Sequence, residues 1–142
     1  MGVCMSHVPI GEMTMTTAAK PQNVAVWFEI PAADFERAVG FYEKIFATRL
    51  KREKFGPTEM AVFPYDGQGV SGAVVAGAGS KPAADGSVVY LNGAEDLAQP
   101  LSRVKAAGGS IAVAKTALPE GMGYFAQFID SEGNRVGLHS MG

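Results

Sequence analysis

The chain repeats one pattern of secondary structure twice, and this repeat constrains its fold more than any other feature. In each half, a short strand is followed by an amphipathic helix and then by three further short strands. The two helices begin at Asp34 and Asp96, which are matching N-cap candidates 62 residues apart. The sequence therefore predicts two tandem β-α-β-β-β modules, at about 22–80 and 84–142, within a single domain 22–142.

The first module opens with a strand in which apolar side chains alternate with small or polar ones. Residues 34–46 then place apolar side chains at helical spacing behind Asp34, which predicts a helix. The apolar set of the strand is expected to pack on this helix, and the other set to face away from it. The helix-facing set is Val24, Val26, Phe28 and Ile30, the opposite set is Ala25, Trp27 and Glu29, and three further strands are predicted at 48–53, 60–64 and 70–75.

The second module repeats this order with a strand at 87–92 and a helix at 96–107. Pro100 falls early in that helix, where the missing N–H of proline is tolerated. Gly108 and Gly109 follow as the residues that end the helix. Three more strands are predicted at 110–114, 124–130 and 134–140.

A four-stranded sheet with one helix is covered on one face only, so each module leaves its other face open. Two such sheets side by side are expected to curve into a trough with the helices outside, an α+β fold whose strands run mostly antiparallel. Trp27 and Glu29 would look into this trough from the first strand. A concave surface with an aromatic ring and a carboxylate suits a small-molecule ligand.

The composition excludes several other classes of protein. Basic side chains number 12 against 14 acidic ones, a net charge of -2, which argues against nucleic acid as a partner. No apolar run reaches the length needed to cross a bilayer, so no membrane partner is expected. The single cysteine, Cys4, cannot form an internal disulfide, and a cytoplasmic location is predicted. Residues 1–21 show no clear period and are predicted to form a flexible N-terminal leader.

Several motifs occur together in the order found in one known superfamily. The first module carries Ile30-Pro-Ala-Ala-Asp34 and Phe41-Tyr42, and the second carries Ala106-Ala-Gly-Gly109 and Asp130-Ser-Glu-Gly-Asn-Arg-Val-Gly-Leu138. Over residues 23–140 the chain resembles the vicinal oxygen chelate superfamily, which includes glyoxalase I, extradiol dioxygenases, fosfomycin-modifying enzymes and bleomycin-resistance proteins. The resemblance implies paired modules, a ligand trough and, usually, a homodimer.

In the metal-dependent members of that superfamily, a divalent ion is bound by His, Glu or Gln side chains on the first and last strands of each module. The resemblance places these positions at Trp27, near Gly72, near Val88 or Val89, and at Gly137. An indole nitrogen has no available lone pair, and glycine and valine have no side-chain donor. No metal ligand and no cofactor are therefore predicted, which leaves the metal-free binding proteins as the nearest functional relatives.

Other polar side chains on the same strands are candidates for binding or catalysis. Glu29 shares the face of Trp27 on the first strand, while His139 shares the face of Gly137 and Arg135 on the last. Glu29 and His139 are the catalytic candidates, one as acid or base and the other as its hydrogen-bond partner, if the first and last strands meet. The alternative is structural, with His139 hydrogen-bonded near the surface and Glu29 paired with Arg135 or a lysine.

Trp27 is either a stacking platform for a planar ligand or a plug that fills the trough in place of a metal. The predicted ligand-binding residues are Trp27, Glu29, Tyr90, Arg135, Gly137 and His139. Two functions follow from these predictions. One is a metal-independent protein that binds a small molecule in the trough. The other is a lyase- or dioxygenase-like enzyme that uses Glu29 and His139 or a non-standard metal site.

Overall fold

Two four-stranded sheets, one from each half of the chain, carry the fold. The computed structural model describes residues 22–142, and the predicted leader at 1–21, with Cys4, lies outside them. The first module comprises β1 (Trp27–Pro31), α1 (Phe35–Phe46), β2 (Lys51–Phe55), β3 (Thr58–Val62) and β4 (Ser71–Ala76). The second comprises β5 (Tyr90–Asn92), α2 (Ala98–Leu101), α3 (Val104–Ala107), β6 (Ser110–Ala117), β7 (Tyr124–Ile129) and β8 (Arg135–Ser140). The predicted α+β fold with two tandem modules is confirmed.

The two sheets have the same topology. Their strand orders are β1-β4-β3-β2 and β5-β8-β7-β6, and both are open. In each sheet the first strand of the module runs parallel to the last, and the other neighbours are antiparallel. A parallel pair needs a crossover connection, and the helical segment after the first strand supplies the start of it. The sheets are therefore mixed, with antiparallel pairs in the majority.

Each sheet packs one face on a shared core, and its other face points away from that core. On β8, Val136 and Leu138 are buried in the core, while the alternate residues Arg135 and His139 are half-buried. On β1, Ile30 is buried and Glu29 is exposed. Because side chains alternate along a strand, each sheet has a core face and an opposite face, which we call its open face.

Helix α1 forms as predicted, with Asp34 as its N-cap. The Asp34 side chain accepts a hydrogen bond from the Arg37 N–H, which satisfies one of the free donors at the helix start. Ala47 adopts a left-handed conformation and ends the helix. The apolar stripe packs on both sheets, and its buried members are Phe35, Ala38, Val39, Phe41, Tyr42 and Ile45.

The single helix predicted at 96–107 is wrong, because the segment forms the two four-residue helices α2 and α3. Pro100 has no N–H to continue the helical ladder. The Ser102 hydroxyl donates to the Gln99 carbonyl, and the Arg103 N–H donates to the Pro100 carbonyl, three residues back. These local bonds replace the regular helical pattern between α2 and α3. Asp96 still accepts from the Ala98 N–H at the start of the segment.

The first strand begins later than predicted. Trp27 is the first residue of β1 with a partner, since it pairs with Ser71 at the start of β4. Val24 and Val26 were expected to pack on the helix, but they precede the paired region and are 96% and 77% exposed. Phe28 and Ile30 do face the core, as the alternation predicts. The length of the partner strand, which the alternation does not reveal, sets this boundary.

Several other strands differ from their predicted bounds: β3 spans 58–62 rather than 60–64, and β5 begins at Tyr90 rather than at residue 87. The strand expected at 48–53 starts at 51, because the residues after α1 bond to Glu43 instead of to a neighbouring strand. The Thr48 N–H donates to the Glu43 carbonyl, and the Leu50 N–H donates to the Glu43 carboxylate. The strand expected at 110–114 continues to Ala117, which pairs with Tyr124. None of the helices within residues 22–142 is long and apolar enough to cross a membrane.

The carboxylate of Glu132 joins the two modules. It lies in the turn before β8, and its side chain is 0% exposed. It accepts hydrogen bonds from the backbone N–H groups of Ala33 and Asp34 at the start of α1, at 2.9 and 2.8 Å. Arg37 donates to both carboxylate oxygens, at 2.7 and 3.1 Å, and the Ser131 hydroxyl adds a further bond. A negative charge at a helix N-terminus is also favoured by the helix dipole.

Asp130 organises the same turn from inside the core. It accepts from the Tyr42 hydroxyl at 2.7 Å and from the backbone N–H groups of Glu132 and Asn134. The Asn134 amide donates in turn to the Pro31 carbonyl at the end of β1. Burial and the adjacent Asp130 charge raise the pKa of Tyr42 well above its usual range, so this hydroxyl remains a donor. The turn is therefore tied to both β1 and α1.

We expect the charge of Glu132 to make stability depend on pH. Burial alone would raise the pKa of Glu132, but bonds from Arg37, the Asp34 amide and Ser131 outweigh it and lower the pKa from 4.5 to about 2. A lowered folded-state pKa means that the ionised carboxylate stabilises the fold above about pH 4.5, and that this stabilisation is lost as pH falls toward 2. Glu132→Gln should therefore lower the unfolding free energy at neutral pH by on the order of 3 kcal/mol, measured by urea denaturation.

The matched control is Glu36→Gln. Glu36 also binds an arginine, Arg52, through two hydrogen bonds, but the two side chains are 72% and 48% exposed. Exposed pairs contribute little, so this variant should lose less than about 1 kcal/mol. Equal losses in the two variants would contradict the role assigned to Glu132.

Candidate functional site

The open face of the second sheet brings together four of the predicted ligand-binding residues. Arg135, Gly137 and His139 alternate along β8 on the face opposite the core. Tyr90, on β5, pairs directly with Gly137. These four positions were predicted from the sequence, and the strand register places them side by side.

Two residues of β7 complete this face, and sequence reasoning missed them. Phe125 pairs with His139, and Gln127 pairs with Gly137. Their alternation with the buried Ala126 and Phe128 was visible in the sequence. Their position opposite β8 depends on the register between the strands, for which the sequence carries no direct signal.

The ring of Tyr90 lies directly over Gly137. A β-carbon at position 137 would overlap the Cδ2 and Cε2 atoms of that ring. Glycine is therefore required for the close approach of the ring to β8. The space that a side chain at position 137 would take on the open face is filled by Tyr90, which itself stays 47% exposed.

A chain of hydrogen bonds crosses this face from Arg135 to Tyr90. Arg135 Nη1 donates to Gln127 Oε1 at 3.1 Å, and Gln127 Nε2 donates to the Tyr90 hydroxyl at 2.6 Å. A guanidinium can only donate, so the amide oxygen of Gln127 must face it and the amide nitrogen must face Tyr90. The Tyr90 oxygen therefore accepts a hydrogen bond from Gln127 and keeps its own proton available for another acceptor.

One ring nitrogen of His139 has a defined hydrogen-bond partner. Its Nε2 lies 2.7 Å from the Met122 carbonyl oxygen, which can only accept. Nε2 therefore donates this bond, and in the tautomer that the bond selects, Nδ1 is the acceptor. His139, Tyr90, Phe125 and Leu118 line a cavity of about 350 Å³. A neighbouring cavity of about 550 Å³ shares Tyr90 and His139.

The open face of the first sheet carries Trp27 and Glu29. Trp27 is 39% exposed, which favours a stacking surface over a buried plug. Its indole Nε1 donates to Glu29 Oε2 at 3.3 Å, so Glu29 pairs with Trp27 and not with Arg135. The two cavities that His139 lines include no residue of β1. A joint catalytic role for Glu29 and His139 stays a prediction.

The strand registers identify the residues at the positions that the resemblance implies for a metal. Gly72 pairs with Phe28 and lies on the core side, so the open-face residues of β4 are Ser71 and Ala73. Val88 and Val89 precede β5, and Tyr90 is the residue opposite Gly137. At these two positions the open face therefore carries Ser71 and Ala73 rather than Gly72, and Tyr90 rather than Val88 or Val89.

These residues do not fit a divalent cation. The Ser71 hydroxyl already donates to the Phe63 carbonyl, and alanine, glycine and the indole offer no donor atom. Within residues 22–142, no three His, Cys, Asp or Glu side chains lie close enough to hold a metal ion. The donor set that hard or borderline cations require is not assembled in this part of the chain.

From the contact between Tyr90 and Gly137 we predict how an added methyl group changes the free energy of unfolding. Gly137→Ala should lower the unfolding free energy by about 1–3 kcal/mol, because the added methyl group displaces the Tyr90 ring. In a Tyr90→Ala background the same change should cost much less, which urea denaturation of the four proteins measures as a coupling energy. Gly86→Ala is the control, since a β-carbon there meets nothing within 4 Å. Additive losses would contradict the contact.

Several solved structures share the fold of this chain. The E144Q mutant of glyoxalase I from Zea mays superposes with a TM-score of 0.63 at 21% identity, over 81% of this chain and 46% of the maize chain. The antibiotic binding protein TnmS3 from Streptomyces sp. CB03234 gives 0.59 at 21% identity, over 87% and 100%. A glyoxalase/bleomycin resistance protein from Albidiferax ferrireducens T118 gives 0.65 at 13% identity, over 84% and 100%. The chain thus spans about half the length of the maize enzyme.

The sequence itself was compared with curated proteins and with protein families. None of the curated protein sequences matches it. One family model, described as Glyoxalase/Bleomycin resistance protein/Dioxygenase superfamily, matches residues 24–138, which include both modules. The chain therefore belongs to the glyoxalase/bleomycin resistance protein/dioxygenase superfamily.

Proposed function

We propose that this protein binds a small, partly aromatic molecule on the open faces of its two sheets and does so without a metal ion. The observation that supports this most directly is the cavity of about 350 Å³ on the open face of the second sheet. Its lining combines the rings of Tyr90 and Phe125 with the imidazole of His139. Pockets of this kind, mostly apolar with a few directed polar groups, are typical of small-molecule sites.

The residues at the implied metal positions support binding without a metal. Trp27, Ala73, Tyr90 and Gly137 offer an indole, a methyl group, a phenol and no side chain at all. A metal in this superfamily would act as a Lewis acid or a template, and it needs carboxylate or imidazole ligands to remain bound. We therefore assign ligand binding to the side chains alone.

Each open-face residue has a distinct role in this proposal. Tyr90 and Phe125 supply apolar contact area, and Trp27 stacks on a planar part of the ligand. His139 Nδ1 accepts a hydrogen bond, while Arg135 and Glu29 supply polar contacts at the edges. The related fold of TnmS3, described as an antibiotic binding protein, is consistent with such a role.

A second candidate function is acid–base catalysis by His139, as in a lyase- or dioxygenase-like enzyme. The observation that favours it is the hydrogen bond from Nε2 to the Met122 carbonyl, which leaves Nδ1 as a positioned base. His139→Gln would abolish such an activity. It would leave the stacking contribution of Trp27 to ligand binding in place.

We also propose a homodimer, and a cytoplasmic location consistent with a single cysteine. Val24 and Val26 continue the apolar alternation of β1 beyond its partner strand, and β1 is an edge strand of its sheet. Exposed apolar residues that extend an edge strand are suited to contact with another chain. A second copy would cover these two side chains.

The binding proposal predicts an interaction that chelators do not affect. Aromatic probes such as naphthalene derivatives should quench the fluorescence of Trp27, the only tryptophan, equally with and without EDTA. Trp27→Ala should weaken binding measured by calorimetry by about three- to ten-fold, and Trp27→Phe should restore part of it. Stoichiometric metal in the purified protein, or binding abolished by EDTA, would refute metal independence.

The dimer proposal is tested by sedimentation velocity. Val26→Asp should shift the protein from dimer to monomer, because it places a charge in the apolar contact. Phe55→Asp is the matched control, since Phe55 is 78% exposed on β2, at the opposite edge of the same sheet. A wild-type protein that sediments as a monomer at all concentrations would exclude the dimer.

A further inference from the structure

The polar groups on the open face of the second sheet indicate which ligand this face selects. Resting on the proposed function, we infer that the open face of the second sheet prefers aromatic ligands that carry an anionic oxygen, such as an aryl carboxylate. Arg135 and the Tyr90 hydroxyl are the groups that select the anion. Tyr90 and Phe125 contact the aromatic part.

The guanidinium of Arg135 is positioned by neutral groups. Its Nη1 donates to the Gln127 amide oxygen at 3.1 Å and its Nε to the Ala84 carbonyl at 3.3 Å. Among the ion pairs formed within residues 22–142, none involves Arg135, whereas Arg37 and Arg52 each bind a glutamate. Neutral partners orient a guanidinium without cancelling its charge, so Arg135 keeps its attraction for an anion.

Tyr90 presents a second donor on the same side. Gln127 donates to the Tyr90 oxygen at 2.6 Å, which leaves the phenolic proton free to bond with a ligand. The ring cannot retreat into the sheet, because it already lies against the backbone at Gly137. Gln127 therefore orients both donors at once: it accepts from Arg135 and donates to Tyr90.

The aromatic part of the inference rests on the cavity that Tyr90 lines. The rings of Tyr90 and Phe125 meet at an angle of 61° with their centres 6.4 Å apart. Leu118 and His139 form the remaining lining. Apolar rings in the cavity, together with a Tyr90 hydroxyl that Gln127 links to Arg135, suit an amphipathic anion. A cationic ligand would instead meet the uncompensated charge of Arg135.

The experiment compares two ligands of the same shape and different charge. Calorimetry with 2-naphthoate and with its neutral counterpart 2-naphthamide should give tighter binding of the anion to the wild-type protein by about ten-fold or more. Equal affinities for the two compounds would overturn the inference and leave the proposed binding function intact. Failure of both compounds, and of the wider set of aromatic probes, would count against the proposed function itself.

Variants then assign the preference to particular groups. Arg135→Gln should weaken naphthoate binding by about ten-fold or more and change naphthamide binding by less than about two-fold. Tyr90→Phe keeps the ring and should weaken naphthoate binding by about two- to ten-fold. Arg49→Gln removes the same charge from an exposed site outside this face and should leave both affinities unchanged.

A further variant separates the charge of Arg135 from the shape of its guanidinium. Arg135→Lys retains the charge without the planar guanidinium, and we expect it to keep part of the preference for naphthoate. A preference that survives undiminished in Arg135→Gln, with the protein folded by circular dichroism, would overturn the role of Arg135.

Discussion

The arrangement of the two modules depends on the hydrogen bonds that the buried carboxylate of Glu132 accepts from the first module. This carboxylate ties the turn before β8 to the backbone amides of Ala33 and Asp34, just before α1, while Asp130 ties the same turn to Tyr42 in the core. Arg135 follows this turn directly, and it is the first residue of β8. The position of the open-face residues on β8 therefore follows from a polar junction that lies on the other side of the sheet.

Tyr90 and Gly137 form a second linked pair, on the open face of the second sheet. A carboxylate at position 137 would need the space that the Tyr90 ring occupies. The two positions lie on different strands and are linked only through the parallel pairing of β5 with β8. This pairing leaves the ring of Tyr90 on the open face, where Gln127 links its hydroxyl to Arg135 through hydrogen bonds.

Much of this organisation was predictable from local patterns. The helix α1 and its cap at Asp34 follow from apolar spacing and a side chain that bonds to the free amides of the first turn. Alternation along the last strand correctly grouped Arg135, Gly137 and His139 on one face. The wrong predictions concern strand ends, where a partner strand far away in the chain decides which residues pair. Val24 and Val26 alternate like strand residues, yet β4 begins too late to pair with them.

The amino-acid sequence by itself determined the repeated module, the capped first helix and the alternating faces, because these depend on contacts between residues near each other in the chain. Only the tertiary structure decided that Gln127 lies between Arg135 and Tyr90, and that Glu29 bonds to Trp27 rather than to Arg135. Those relations depend on strand register and on the packing of one sheet beside the other. Register is set by the summed pairing and burial of whole strands, so no single segment of the chain encodes it.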